Sequence, residues 1–223
     1  MEFYYTSGKK DEAISALEQA VKEKPEELDF YNYLTSFYEE EGNYKKVVEL
    51  LKVGANANPD NEKLIFALAV AYEKAGDTDA AIETMKNVVA INPQNASALN
   101  FIGYSYVEKG ENLDIAESML QEAAAIRPDD GYILDSLGWL YFKKGDLTRA
   151  FDLLDQASKL MPKEVTILEH LGDLHKLRQD FKSALVSYKK ALKCLKDRKK
   201  TDSKEYKRIE EKICEVGGCK PAN

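Results

Sequence analysis

The sequence has few of the residues from which active sites and metal sites are usually built. It contains only two histidines, three cysteines and one tryptophan among 223 residues. His170 and His175 are five residues apart, about 140° round a helix, and no HExxH pattern occurs. No strand is evident in the pattern, and no Gly-rich phosphate loop follows one. These absences predict that the chain is not an enzyme and that it needs neither a metal nor another cofactor.

Long apolar runs and an excess of positive charge are also missing. Lys or Glu interrupts the apolar runs every few residues, so the sequence predicts no membrane span and no secretion signal. The formal net charge is −7, which argues against sequence-independent nucleic-acid binding, because such binding needs many cations to neutralise phosphates. With 44% apolar residues, the chain is long enough for one extended domain with a continuous core.

What the sequence does contain is an internal repeat. Glycines, prolines and small residues each recur at steps of 34 or 35 residues. The glycines are Gly8, Gly42, Gly76, Gly110 and Gly145; the prolines are Pro25, Pro59, Pro93, Pro128 and Pro162; the small residues are Ala13, Val47, Ala81, Ala116, Ala150 and Ala184. One residue is inserted in the segment Glu111-Asn112-Leu113. Each period has the pattern of two amphipathic helices that cannot bury their apolar faces alone, so neighbouring units should stack.

This unit of two helices resembles the tetratricopeptide repeat, and the resemblance covers about residues 1–196. It implies an all-α fold, a right-handed superhelical solenoid of antiparallel helix pairs. We predict a C-terminal capping helix after the last pair. The predicted boundaries are a partial first unit at 1–27, five units at 28–61, 62–95, 96–130, 131–164 and 165–196, a capping helix at 203–216 and a tail at 217–223.

Both ends of the repeat array are irregular. Residues 1–7 supply only the last half of a first helix, which predicts further repeats and a targeting segment upstream; the alternative is a short native start that frays or dimerises. The last unit carries Gln179 in place of the turn glycine and has no closing proline, which indicates that the array ends there. Gly103, Gly138 and Gly172 are expected at contacts between helices, where a missing side chain permits close approach.

The first helix of each such unit is expected to line a concave groove. Counted from the start of each unit, places two, five, nine, twelve and thirteen should face outward, and in the middle units they form an apolar stripe. Exposed apolar patches usually mark binding sites, and Trp and Tyr are favoured anchors. The alternative is that some of these side chains pack against the neighbouring second helix or against an upstream segment. The predicted groove residues are Phe66, Val70, Asn100, Tyr104, Val107, Tyr132, Asp135, Trp139 and Phe142.

The chemistry of these positions restricts the expected ligand. The concave places offer no basic clamp for a C-terminal carboxylate, so we expect an extended or helical apolar segment. In the second unit the same places form an acidic entrance. They are Asp29, Asn32, Ser36, Glu39 and Glu40. We expect Trp139→Ala to weaken partner binding with little effect on folding.

The cysteines and a cationic segment lie near the C-terminus. A disulfide from Cys194 to Cys214 or to Cys219 would link the last repeat to the capping helix in an oxidising compartment. The alternative is that Cys194 and Cys214 are buried free thiols. The basic cluster is interpreted as a solvated helix end. It comprises Lys193, Lys196, Arg198, Lys199 and Lys200.

Residues 100–192 resemble, more narrowly, tetratricopeptide-repeat lipoproteins of the bacterial cell envelope. The segments that carry this resemblance are FIGYSYVEKGENLDIAESML, RPDDGYILDSLGWLYFKKGDLTRAFDLLDQA and LEHLGDL. The resemblance implies an adaptor in the periplasm or at the outer membrane. The cysteine-containing C-terminal tail and the lack of a lipobox cysteine depart from that family, which leaves a cytoplasmic location as the alternative.

Two functions follow from these patterns. The first is a scaffold or adaptor for protein–protein interaction, which binds a peptide or protein segment in the concave groove. The alternative is a structural or self-association module, in which the incomplete N-terminal unit pairs with a second copy to form a homodimer. No nucleic-acid partner is expected.

Overall fold

A computed structural model describes residues 10–217, and these residues form helices and turns without any strand. Twelve helices are present in this range. They are α1 Lys10–Glu23, α2 Leu28–Glu40, α3 Tyr44–Ala57, α4 Glu62–Lys74, α5 Thr78–Ile91, α6 Ala96–Lys109, α7 Leu113–Ile126, α8 Gly131–Lys144, α9 Leu147–Leu160, α10 Val165–Leu177, α11 Phe181–Asp197 and α12 Lys204–Glu215. The predicted all-α class of antiparallel helix pairs is confirmed.

Local signals set the helix boundaries. Asn61 begins α4 by accepting a hydrogen bond from the Leu64 backbone N–H at 3.1 Å, and Asp146 begins α9 in the same way through the Arg149 N–H at 3.1 Å. Such side-chain caps satisfy N–H groups that have no partner inside the helix. The first helix of a pair ends where the chain enters the left-handed region, as at Gly145 with φ 82°. Gln179 adopts the same conformation with φ 62°, so the last turn forms without a glycine.

The chain divides into two compact units, with the boundary at Phe101 and Ile102. In the N-terminal unit, one apolar cluster joins α1 to α4 and contains the fully buried Tyr31 and Leu34. The phenol of Tyr31 donates a 2.8 Å hydrogen bond to the Pro25 carbonyl, which satisfies its polar end inside the apolar core.

The C-terminal unit has apolar clusters within and between its helix pairs, and three glycines permit close packing of the two helices inside a pair. A Cβ atom on Gly172 would lie 2.4 Å from Cε1 of Tyr188, which is shorter than any normal contact. Gly103 and Gly138 are similarly close to Leu120 and Leu154, at 2.7 Å and 2.9 Å from their Cγ atoms. The predicted role of these glycines at contacts between helices is therefore confirmed.

Helix α12 covers the end of the C-terminal unit. Its residues Tyr206, Ile209 and Ile213 are buried against α10 and α11, where they share one cluster with Leu168 and Tyr188. Ser203 caps the helix by accepting from the Tyr206 N–H at 3.1 Å. The apolar side of the last helix pair is thus shielded from water, as a terminal cap of a repeat protein requires.

The state of the cysteines matches neither the predicted disulfide from Cys194 nor, in full, the alternative of two free thiols. Cys194 is a free, partly buried thiol, so a disulfide from Cys194 to either of the other two is not formed. Cys214 is disulfide-bonded and exposed, so the expectation of a buried free thiol is wrong there. Cys219, together with residues 1–7 of the predicted half-helix, lies outside the described residues.

Candidate functional site

The N-terminal unit contains a cavity of about 310 Å³ on the side of the first helices α2 and α4. Leu51, Leu64 and Ala67 form an apolar part of its wall. Asn32 and Ser36 are exposed on α2 and place an amide and a hydroxyl at the cavity. The remaining lining residues are Leu28, Thr35, Glu39, Asn61 and Lys63.

One polar group of this wall has no internal partner. The Thr35 hydroxyl is buried and forms no hydrogen bond within residues 10–217. Buried polar atoms are nearly always paired, so an unpaired one calls for an explanation. By contrast, Glu39 at the same cavity is engaged, since its carboxylate lies 3.2 Å from the Lys74 ammonium.

The predicted groove residues of this unit are only partly exposed. Phe66 and Val70 lie on α4 and are half-buried, while Lys63, Leu64 and Ala67 of the same helix line the cavity. The Asn100 side-chain oxygen is buried and finds no hydrogen-bond partner in the described part of the chain.

In the C-terminal unit, Trp139 is enclosed by its own chain, against expectation. Its exposed fraction is 8%. The indole stacks on the Phe142 ring at 4.5 Å and on the His170 ring at 3.9 Å between centroids. Its N–H donates to a carboxylate oxygen of Glu108 at 2.7 Å. Trp139, predicted to be an exposed ligand anchor, is therefore a packed side chain, because the His170 ring of α10 covers it.

Asp135 and Val107 are also buried, so neither faces an open groove. Both carboxylate oxygens of Asp135 lie 3.0 Å from Nδ1 of His170. The contact gives the buried Asp135 side chain a hydrogen-bonding partner inside the unit. Val107 belongs to the main apolar cluster of the unit, beside Leu120. The prediction that Asp135, Val107 and Trp139 are exposed is therefore wrong.

The other three predicted positions of the C-terminal unit retain some exposure. Tyr132 is 52% exposed, and its hydroxyl donates to Glu164 at 3.3 Å. Phe142 and Tyr104 are half-buried. Burial, and then the carboxylates of Glu108 and Asp135, raise the pKa of the Tyr104 phenol.

A charged network, which the sequence analysis missed, joins α10 to the capping helix α12. Glu169 is buried and accepts from the Arg208 guanidinium at 2.8 Å and 2.6 Å and from the Lys212 ammonium at 2.7 Å. Lys212 also donates to Asp173 at 2.7 Å. Burial raises the pKa of Glu169, but the hydrogen bonds from Arg208 and Lys212 outweigh it, so the pKa is lowered from its ordinary value.

A spacing signal for these contacts exists in the sequence. Asp135 and Glu169 both occupy place five of their units, and Arg208 occupies the same place in α12 when Lys204 is counted as the first residue. His170 follows Glu169 directly. Glu169 and Arg208 thus have opposite charges at place five of successive elements, and Asp135 contacts the residue at place six of the next unit, which the search for exposed residues did not consider.

Neither a metal site nor a membrane-spanning helix is found in residues 10–217. No group of three or more His, Cys, Asp or Glu side chains is placed to hold a metal ion in this range. None of its helices combines the length and the apolar character that a bilayer crossing requires.

Comparisons with known proteins agree on the fold. The family described as "Tetratricopeptide repeat" matches at residues 4–69, 40–103 and 72–140. No curated protein sequence matches significantly. Among solved structures, TTC0263, a thermophilic TPR protein of Thermus thermophilus, is 23% identical with a TM-score of 0.67, over 82% of this chain and 96% of that one.

Two further solved structures show the same arrangement of helices. MamA residues 41-end from Desulfovibrio magneticus RS-1 is 20% identical with a TM-score of 0.63, over 76% of this chain and 95% of that one. A chain of the APC/C hetero-tetramer Cut9-Hcn1 is 17% identical with a TM-score of 0.74, over 95% of this chain and 41% of that one. At these identities the likeness concerns the fold alone.

Proposed function

Because the chain belongs to the tetratricopeptide-repeat family, we propose that it binds an extended segment of a partner protein in the cavity between α2 and α4. Proteins of this family generally act as protein-interaction scaffolds. Repeat arrays provide elongated surfaces suited to extended ligands. The observation that carries the proposal is the cavity itself, together with the unpaired hydroxyl in its wall.

The size and chemistry of the cavity fit a peptide. Its volume of about 310 Å³ is at the lower end of ligand pockets, which run from roughly 300 to 1,000 Å³. The apolar wall of Leu51, Leu64 and Ala67 suits an aliphatic side chain. An extended peptide also needs partners for its backbone N–H and C=O groups, and the exposed Asn32 amide can both donate and accept.

Each unit, taken by itself, retains groove residues that are partly exposed. Phe66 and Val70 lie on α4 beside the cavity-lining residues and offer apolar surface for a second side chain of the ligand. Tyr104, Tyr132 and Phe142 stay predicted ligand contacts in the C-terminal unit. Trp139, Val107 and Asp135 are left out of the proposed surface because they are buried.

The test places a bulky side chain in the cavity. Ser36 is exposed on α2, so Ser36→Arg should fill the cavity and change the free energy of unfolding by no more than about 0.5 kcal/mol. Ser15→Arg, an equally exposed serine on α1, is the matched control. Proteins captured from the source cell by the wild type are quantified by mass spectrometry for both variants.

The expected result is a partner that the control retains and Ser36→Arg loses. A peptide from that partner should then bind the wild type in isothermal titration calorimetry, with an affinity that Ser36→Arg lowers at least about tenfold. Equal capture by both variants would show that the cavity is not the binding site.

We also propose that the scaffold acts in the bacterial cell envelope. Two observations support this: the resemblance of residues 100–192 to envelope adaptors, and the disulfide at Cys214, since disulfides persist mainly in oxidising compartments. Fractionation of the source cell, with alkylation of free thiols before lysis, tests the proposal. Recovery in the cytoplasmic fraction with Cys214 alkylated would contradict it.

Self-association through the N-terminal unit remains the alternative. Helix α1 of that unit has three buried apolar residues, Ala13, Leu17 and Val21. The last two belong to the apolar cluster of α1 to α4. Light scattering separates the two functions, because a scaffold stays monomeric until a partner is added, whereas a self-associating module gains mass with its own concentration.

A further inference from the structure

One helix of the C-terminal unit carries more positive charge than the other second helices of residues 10–217. Helix α11 contains five lysines and one acidic residue, Asp197. Helix α7, which occupies the same position two units earlier, contains three acidic residues and no basic one. The lysines of α11 are Lys182, Lys189, Lys190, Lys193 and Lys196.

Four of these lysines share one side of the helix. Together with Val186 they follow each other at spacings of four, three, four and three residues, which places them on a single face. The opposite side is buried, with Ala184, Tyr188 and Leu195 in the core. We call the exposed side the lysine face. It comprises Lys182, Val186, Lys189, Lys193 and Lys196, all exposed to solvent.

Within residues 10–217, most charges of the lysine face have no ion-pair partner. Lys182, Lys189 and Lys193 form no ion pair with any residue from 10 to 217, whereas Arg198 just beyond the helix does pair with Glu164 at 3.5 Å. Lys196 lies 5.9 Å from the centroid of the Tyr206 ring. The face therefore carries free positive charge along about 21 Å of helix, at 1.5 Å per residue.

Large apolar side chains accompany these charges. Val186 lies within the face and is 49% exposed, and Phe181 at the start of α11 is 50% exposed. A row of exposed lysines is attracted to the negative surface of a membrane that contains anionic lipids, and an exposed Val186 within the row adds apolar contact.

We propose that the lysine face binds the surface of a bilayer that contains anionic lipids. The lysines would extend to headgroup phosphates, and Val186 between them would contact the upper part of the bilayer boundary. Three other ligands fit less well. A soluble anion would engage only part of a row of four lysines, and nucleic acid offers phosphates but no acyl layer for the exposed Val186.

The third alternative ligand of the lysine face is a partner protein, and the residue types of the face argue against it. Lysine is depleted and arginine enriched in protein–protein interfaces, yet the lysine face carries four lysines and no arginine. Lysine keeps its charge hydrated, which suits a fluid array of phosphates better than carboxylates in fixed positions.

The test measures co-sedimentation of the whole chain with vesicles. Phosphatidylcholine vesicles with and without phosphatidylglycerol are compared at low and at high salt. The wild type should sediment only with the anionic vesicles, and less at high salt, because salt screens the attraction. The fourfold variant Lys182→Gln, Lys189→Gln, Lys193→Gln, Lys196→Gln should lower the partition constant at least about tenfold.

A matched control variant distinguishes an effect of the lysine face on vesicle binding from an effect of the overall net charge. Lys22, Lys24, Lys45 and Lys163 are exposed lysines outside α11, and their fourfold change to Gln removes the same charge. This control should bind like the wild type. Equal loss in both variants, or no binding of the wild type to anionic vesicles, would overturn the proposal. Circular dichroism verifies that both variants are folded.

A further outcome would assign the face to another occupant. The N-terminal unit is acidic, with 10 basic and 18 acidic residues up to Phe101, a difference of −8. If the wild type ignores vesicles but self-associates at low salt, and the lysine-face variant does not, the occupant is a second copy of the chain and the lipid proposal is wrong.

Discussion

The two units of the molecule use the same repeat but treat the exposed places of their first helices differently. In the N-terminal unit, places five and nine of α2 carry the short side chains Asn32 and Ser36, and a cavity remains beside them. In the C-terminal unit the same places of α8 carry Asp135 and Trp139, which reach His170 of α10 and are buried.

At places five and nine, this difference shows that a short side chain leaves a concave place open where a long one reaches the next helix. Backbone spacing is set by the repeat in both units, so a short side chain leaves space that a ligand can fill. A long aromatic or charged one meets its counterpart on the next helix and gains packing and hydrogen bonds there. Aromatic residues at such places are therefore poor evidence for an open groove.

The largest expected effect compares Trp139 with Phe66, two aromatic residues predicted to face the same groove. Trp139→Ala removes a buried, stacked and hydrogen-bonded ring, so we expect it to lower the free energy of unfolding by about 3–5 kcal/mol. Phe66 is half-buried, and Phe66→Ala should lower it by only about 1–2 kcal/mol. Urea unfolding followed by circular dichroism measures both. Equal losses would remove the distinction between the two units.

A smaller effect tests the network that holds the capping helix. Glu169→Gln leaves Arg208 and Lys212 without their buried carboxylate, so stability at neutral pH should fall by about 1–3 kcal/mol, a range reduced because Arg208 is largely exposed. The lowered pKa of Glu169 means that its contribution is complete above the ordinary value of 4.5 and is lost as the pH falls through the folded-state pKa.

The pH dependence of the unfolding free energy shows whether Glu169 acts through its charge. The difference in unfolding free energy between wild type and Glu169→Gln should shrink as the pH is lowered below 4.5, because the wild-type carboxyl then becomes neutral too. A difference that stays constant over this range would mean that the substitution acts through packing and not through charge.

The smallest effect concerns the cavity wall. Thr35→Val replaces the unpaired hydroxyl by a methyl group of similar size, so stability should stay the same or rise by up to about 1 kcal/mol. Affinity for the partner segment should fall if the ligand uses that hydroxyl. A loss of stability in thermal unfolding would instead show that the hydroxyl has an internal partner.

The repeat could be predicted from the sequence, but which side chains of the candidate site are exposed and which are buried could not. The steps between Gly42, Gly76 and Gly110 and the caps at Asn61 and Asp146 are local signals, and the structure has turns and helix starts at those residues. The contact of Trp139 with His170 joins residues 31 apart in sequence, and it depends on how two side chains meet across neighbouring helices.

The sequence by itself determined the helix pairs, because turn glycines, capping side chains and apolar spacing act within one repeat. Tertiary structure alone decided which first-helix side chains face water, since burial at Asp135, Trp139 and Glu169 depends on what the next helix presents to each of them. Desolvation and hydrogen bonding are satisfied across helices, so a pattern read one helix at a time cannot distinguish a binding residue from a packed one.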